Sequence, residues 1–261
     1  MTRSEFSDKL PDKHFEDFEE RICGPKNNGP VELTDTGDRI IQEIANLVAR
    51  DPRRDRNLVI VRASDVKPEK IRWLWPARFP LGKASTLAGE GGLGKSTALI
   101  TMMATTSRGR KWPNGEGKAP LGSCIYLSAE DGVADTIVPR SMAAGADLDK
   151  IHIVKAVKDG DSNSWFSLET DIGLLEAMAR EIGDVVLIVI DPITSYLGST
   201  NSYSNAEVRG LLEPLGNMAE RLGAAVICNN HHSKGGSSSA TLRVIGSVAF
   251  TNHSRTVTQV F

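Results

Sequence analysis

The run Gly89-Glu90-Gly91-Gly92-Leu93-Gly94-Lys95-Ser96 satisfies the pattern G-x-x-x-x-G-K-[ST]. It follows a β-rich stretch, Ala84 to Ala88, and precedes a helical stretch, Thr97 to Thr106. A strand, a glycine-rich turn and a helix in that order form a phosphate-binding loop. The glycines let backbone N–H groups curl around phosphate oxygens, and the helix that follows presents its positive end. Lys95 then reaches the β and γ phosphates, Ser96 ligates Mg²⁺, and Thr97 continues the cradle. The expected ligand is ATP with Mg²⁺.

Beyond the loop, apolar runs at Cys124–Leu127, Ile151–Val154, Val185–Ile190 and Ala224–Cys228 alternate with amphipathic segments. These carry Leu174, Leu175, Met178 and Ile182, then Val208, Leu211, Leu212, Leu215, Met218 and Leu222. Strands buried on both faces and separated by helices predict an α/β fold, a mostly parallel twisted sheet with helices on both sides. The 261 residues, 40% hydrophobic and 25% charged, suffice for one substantial core and exclude a fibrous or wholly disordered chain.

Residues 1 to about 37 are too polar to pack alone, and Asp38–Arg50 has helical spacing closed by Asp51-Pro52. Leu58–Val61 reads as a strand, which gives an N-terminal extension over 1–70 and a core over 71–261. Arg255 to Phe261 also reads as a strand; a chain ending there is expected to be a fragment truncated at its C-terminus.

With Lys+Arg 31 against Asp+Glu 33, the net charge of -2 leaves no polycation, so any nucleic-acid contact must come from a local patch. No apolar run is long enough to span a membrane, and the N-terminus lacks a signal-like core, so no membrane partner and a cytoplasmic location are expected. Cys23, Cys124 and Cys228 are too scattered for a zinc site or a disulfide framework.

The apolar run Val185 to Ile190 ends in Asp191, at the strand tip where parallel sheets bind ligands; this is the Walker B position, holding Mg²⁺ beside Ser96. A second strand ends in Ser128-Ala129-Glu130-Asp131, and either carboxylate can polarise the attacking water, Glu130 being the stronger choice. A third strand runs into Asn229-Asn230-His231-His232, polar groups in reach of a γ phosphate. No carboxylate or cysteine is spaced to join the histidines in a metal site.

Glu-Gly-Gly-Leu-Gly-Lys-Ser-Thr superficially resembles the loop of the ParA and MinD partition ATPases, but Glu90 stands where those carry their signature lysine. The order of phosphate loop, Ala129-Glu130, Asp191 and His231 resembles the RecA-superfamily P-loop ATPases over about residues 70 to 261, most nearly the RepA-type hexameric replicative helicases. That resemblance implies a RecA-like core, Glu130 as the water-activating glutamate and His231 as the sensor. Gly246-Ser247 before a short helix, followed by Arg255, implies an arginine finger acting on a neighbour's nucleotide. It also implies that Ser233 to Ala240 faces a central channel, with Lys234 and Arg243 on single-stranded DNA. Arg108, Arg110 and Lys111 form a second basic cluster, read as a solvated loop.

The implied activity is Mg²⁺-dependent ATP hydrolysis by a homo-oligomer, a hexameric ring moving on DNA as a mobile element's replicative helicase, with other replication proteins as partners. A recombination or regulatory ATPase of the RecA, RadA or KaiC kind and a nucleotide-gated scaffold are the alternatives. A small-molecule kinase is disfavoured, because strand-Ala-Glu and sensor pairs have no use there.

Overall fold

A computed structural model describes residues 60–231 and 248–261. The chain divides into two compact units, Met1–Lys67 and Pro68–Phe261. Of the first, the described residues hold one 3-10 turn, Ala63–Asp65. Ile60 and Val61 are exposed and lie outside any strand, whereas Leu58 and Val59, the first half of the strand expected over Leu58–Val61, lie outside the described residues. The helix expected at Asp38–Arg50 and Cys23 lie outside the described residues.

The second unit opens with a hairpin, β1 (Trp73–Trp75) and β2 (Phe79–Pro80). There follow β3 (Ala84–Gly89), α1 (Lys95–Ser107), β4 (Ser123–Ser128), a π-helical turn (Val133–Ile137) running into α2 (Val138–Ala143), and β5 (Ile151–Val154). A small hairpin, β6 (Val157–Asp159) with β7 (Ser162–Ser164), leads to α3 (Ile172–Ile182) and β8 (Val185–Asp191). The chain continues through α4 (Asn205–Leu222), β9 (Ala225–His231), α5 (Ala249–Asn252) and β10 (Val257–Val260).

Six strands form one parallel sheet in the order β10-β3-β9-β8-β4-β5. This is the α/β, RecA-like P-loop architecture. The central strands alternate residues between two cores, as period 2 requires. Ile125, Leu127, Ile188, Ile190, Val226 and Cys228 face one, with Leu175 of α3 and Leu211 and Leu215 of α4. Tyr126, Leu187, Val189, Ala225 and Ile227 face the other, with Leu99, Ile100 and Met103 of α1. Cys124 and Cys228 belong to opposite cores and are both free thiols.

The hairpin is fastened by aromatic packing. Trp75 stacks on Trp112 with ring centroids 4.4 Å apart, and Arg78 lies over the Trp75 ring at 5.0 Å. Glu116 accepts from both Trp75 Nε1 (2.8 Å) and Arg78 Nη2 (2.7 Å). The basic cluster after α1 is exposed, as expected of a solvated loop, and two of its members also clamp a neighbouring helix end: Arg108 and Arg110 donate to the carbonyls of Ala144, Gly145 and Ala146, at the C-terminus of α2. Guanidinium groups there satisfy carbonyls that the helix leaves open and oppose its negative end.

Candidate nucleotide site

Parallel register brings the sequence motifs to one edge. Gly89 pairs with His231 across β3 and β9, and Ser128 pairs with Asp191 across β4 and β8. The Ala129 amide donates to the Asp191 carbonyl at 3.1 Å, so Glu130 and Asp131 leave the sheet beside the tip of β8. Between β3 and α1 the loop turns through left-handed backbone at Gly92 (φ 80°) and Gly94 (φ 77°), a region that glycine enters without a Cβ penalty. A Cβ at Gly91, Gly92 or Gly94 would meet nothing within 4 Å. Gly89 is required for a different reason: a Cβ there would come 2.7 Å from the Val260 carbonyl and 3.3 Å from the Lys95 side chain.

Lys95, the first residue of α1, is buried, and its Nζ donates to the carbonyls of Gly89 (2.9 Å) and Glu90 (2.7 Å). Burial holds its pKa below the ordinary lysine value, and the negative charges of Asp191 and Glu130 pull it back up. The ammonium thus sits folded over the loop's own backbone with two carboxylates in electrostatic range.

Asp191 is buried and fixed from both sides: Tyr126 Oη donates to its Oδ2 at 2.9 Å, and Asn229 Nδ2 donates to its Oδ1. Among the described residues it has no ion-pair partner, so its charge is held by neutral donors. Burial, with the adjacent Asp191 charge, drives the Tyr126 phenol far above its usual pKa and pushes Tyr196 up to about 12. A buried carboxylate oriented by two hydrogen bonds, on the same sheet edge as the start of α1 with its Ser96 hydroxyl, is a donor set that suits Mg²⁺.

The two acidic candidates on β4 are separated by their partners. Asp131 forms a salt bridge with Arg140 of α2 at 3.2 Å. Glu130 is more exposed and has His231 Nε2 3.9 Å from its Oε1. Glu130 is therefore the carboxylate left open toward solvent at the loop, with an imidazole close by.

With this geometry, residues 49–237 match the AAA domain family. The chain belongs to the AAA domain family. It is a P-loop ATPase, and no curated protein matches it.

The AAA domain's own sheet gathers Gly89–Ser96, Glu130, Asp191 and His231 at its C-terminal edge. Thr97 lies in the exposed first turn of α1, Glu90 is exposed, and Leu93 stands on the loop surface. Arg255 falls elsewhere: its amide donates to the Ala84 carbonyl at 2.8 Å, at the start of β3. Five residue steps along β3 separate that edge from Gly89, about 16 Å at the usual strand rise. Arg255 is thus out of reach of the phosphate loop of its own chain. His232, Lys234, Gly235, Gly236, Arg243, Gly246 and Ser247 lie outside the described residues.

Sequence reasoning missed Tyr126 and Asn229 as partners of Asp191. Tyr126 sits in an apolar strand like any core aromatic, and only the pairing of β4 with β8 brings its hydroxyl to the carboxylate. A weak signal existed in the polar Asn229-Asn230 pair, which interrupts an apolar strand that is buried up to Asn230. Also missed was the π-helical turn after Asp131, where Gly132 accepts from the amides of Thr136 and Ile137 and carries Asp135 packed against its Cα.

Proposed function

We propose that this chain is an oligomeric, Mg²⁺-dependent RecA-like motor that hydrolyses ATP while acting on DNA, as a replicative helicase of a mobile element does. The observation that carries this reading is the division of charged groups between the two edges of one sheet. Lys95, Glu130, Asp191 and His231 share the loop edge, and Arg255 is exposed at the other, where a nucleotide bound by a neighbouring copy can meet it.

In this reading the amides of Gly89 to Ser96 and the Lys95 ammonium orient the triphosphate, the Thr97 turn adding the start of α1. Ser96 and Asp191 hold Mg²⁺, which when bound neutralises charge on the β and γ phosphates. Glu130 accepts a proton from the attacking water, and the 3.9 Å separation lets His231 respond to the γ phosphate and to the state of Glu130. Arg255 of an adjacent copy stabilises charge that develops only in the transition state. The segment after His231, with Lys234 and Arg243, contacts single-stranded DNA through its phosphates.

The test is the ATPase rate with and without single-stranded DNA, together with the mass of the assembly in a non-hydrolysable ATP analogue. A hexamer whose turnover rises severalfold with DNA supports the motor. An assembly indifferent to DNA points to the regulatory ATPase instead, and a monomer without turnover to the scaffold. Lys234→Ala separates the DNA contact from the chemistry: it is expected to weaken single-strand binding and flatten its salt dependence while basal turnover survives.

A further inference from the structure

The edge of the sheet opposite the phosphate loop is built as a cationic groove. Two adjoining depressions of about 280 and 320 Å³ share Lys83, Glu220 and Arg255. The first also contains Lys70, Arg72 and Glu69. One of the two carboxylates is already taken, since Lys83 Nζ binds Glu220 at 3.0 Å. Among the described residues Lys70, Arg72 and Arg255 have no ion-pair partner.

The two arginines are anchored by their backbones. The Arg72 carbonyl accepts from the Leu81 amide at 2.9 Å, and the Arg255 amide donates to Ala84 at 2.8 Å. The Arg72 guanidinium rests over Gly223, whose left-handed backbone (φ 66°) closes α4; a Cβ there would lie 3.1 Å from Arg72 Nη2. Both side chains are exposed while their starting points are fixed to the sheet. Such placement limits the ordering cost of gripping an anion.

We propose that Arg72 joins Arg255 in this groove to receive the phosphate end of a nucleotide held by a second copy of the chain. The inference rests on the oligomeric reading above and extends it to a residue that no motif marks. Charge complementarity names the occupant. The loop edge of a copy exposes Glu90 and Glu130 and binds a polyanionic triphosphate, so head-to-tail packing sets an anionic edge on a cationic groove. A nucleic-acid backbone fits less well: it asks for a stripe of cations, whereas these are gathered in one short groove beside two carboxylates.

The experiment measures turnover and analogue-dependent assembly mass for Arg72→Ala, Arg72→Lys, Arg255→Ala and Lys95→Ala, alone and mixed. Arg72→Ala is expected to lower turnover about 10- to 100-fold at unchanged ATP affinity, with Arg72→Lys recovering part of it. Mixing Arg72→Ala with Lys95→Ala leaves about one interface in four intact on both sides, so turnover rises above that of either variant. Mixing Arg72→Ala with Arg255→Ala leaves none intact, and no rise is expected. Arg72 as a mere cap for α4 would lower the melting temperature yet give no such pattern of rescue, which overturns the proposal. Unchanged turnover in Arg72→Ala overturns it too, as does weakened single-stranded DNA binding as its sole defect. If Arg255→Ala keeps full turnover, or the wild type stays monomeric with the analogue, the oligomeric reading itself falls and the groove with it.

Discussion

At the C-terminal ends of its strands the sheet carries a buried carboxylate held by two neutral donors, a buried ammonium folded onto backbone carbonyls, and an open glutamate beside a histidine. At the N-terminal ends it carries stacked tryptophans under a fastened hairpin and a groove of exposed cations. The first edge is costly to maintain, because Lys95 and Asp191 are desolvated there. The second is cheap, because its charges remain in water. About 16 Å of strand lies between them, so one nucleotide cannot touch both edges of the same subunit. Substitutions at the two edges should therefore fail in different ways.

The largest effect is expected at the loop edge. Lys95→Ala removes the cation that the loop folds over itself, and turnover should fall below detection with ATP affinity strongly reduced, as measured by nucleotide binding and phosphate release. Unchanged affinity and turnover would remove the phosphate-loop assignment. Arg255→Ala is the counterpart at the other edge: ATP binding nearly intact, turnover down roughly 10³-fold, with partial recovery on mixing with Lys95→Ala subunits. If mixing restores nothing despite demonstrated co-assembly, the two edges do not meet across an interface.

Glu130→Gln should sit below these, slowing hydrolysis roughly 10²-fold while ATP stays bound. Asp131→Asn serves as its control, because Asp131 is engaged by Arg140. If Asp131→Asn slows hydrolysis and Glu130→Gln does not, the free carboxylate has been misjudged.

The phosphate loop was legible because it is contiguous: eight consecutive residues specify the turn, the lysine and the hydroxyl that follows it. The sheet was legible because strands such as Val185–Asp191 are buried on both faces and so read as unbroken apolar runs. What escaped depends on neighbours across the sheet. Glu130 and Asp131 are chemically alike in sequence, and Arg140, nine residues on, is what separates them. Arg108 and Arg110 are exposed as expected, but their hydrogen bonds escaped because the helix end they cap lies more than thirty residues away.

A smaller effect should follow from Tyr126→Phe. The substitution leaves the volume of β4 unchanged but deprives buried Asp191 of one of its two donors, a loss worth about 1.5–3 kcal/mol for a hydrogen bond to a charged group. Tyr126 acts here as a positioning residue. The expected outcome is turnover lowered by about tenfold at limiting Mg²⁺, a higher Mg²⁺ concentration for half-maximal rate, and substantial recovery at saturating Mg²⁺. A drop in melting temperature with an unaltered Mg²⁺ profile would reduce Tyr126 to a core residue.

The smallest effect belongs to neither edge and calibrates both. Glu176 of α3 accepts from Arg180 Nη2 at 2.7 Å and from Arg221 of α4 through Nε (3.0 Å) and Nη2 (2.6 Å), tying the two helices on one face of the sheet. The hydrogen bonds from Arg221, then those from Arg180, hold its pKa at about 2 against an ordinary 4.5. A carboxyl whose pKa is depressed on folding stabilises the fold above its unfolded pKa and loses that contribution as pH falls toward the folded value. Both arginines are more than half exposed, so solvent screening brings the contribution down to about 1 kcal/mol. Glu176→Gln should lower the melting temperature by about 2–4 °C at pH 7 and leave turnover per folded molecule unchanged. The gap between variant and wild type should narrow below pH 4.5, because protonation removes from the wild type what the substitution has already removed. A constant gap down to pH 3 would show that the helices are tied by packing alone. Altered turnover at pH 7 would show that strain in this helix pair reaches the strand tips, and the two edges could then no longer be treated as independent.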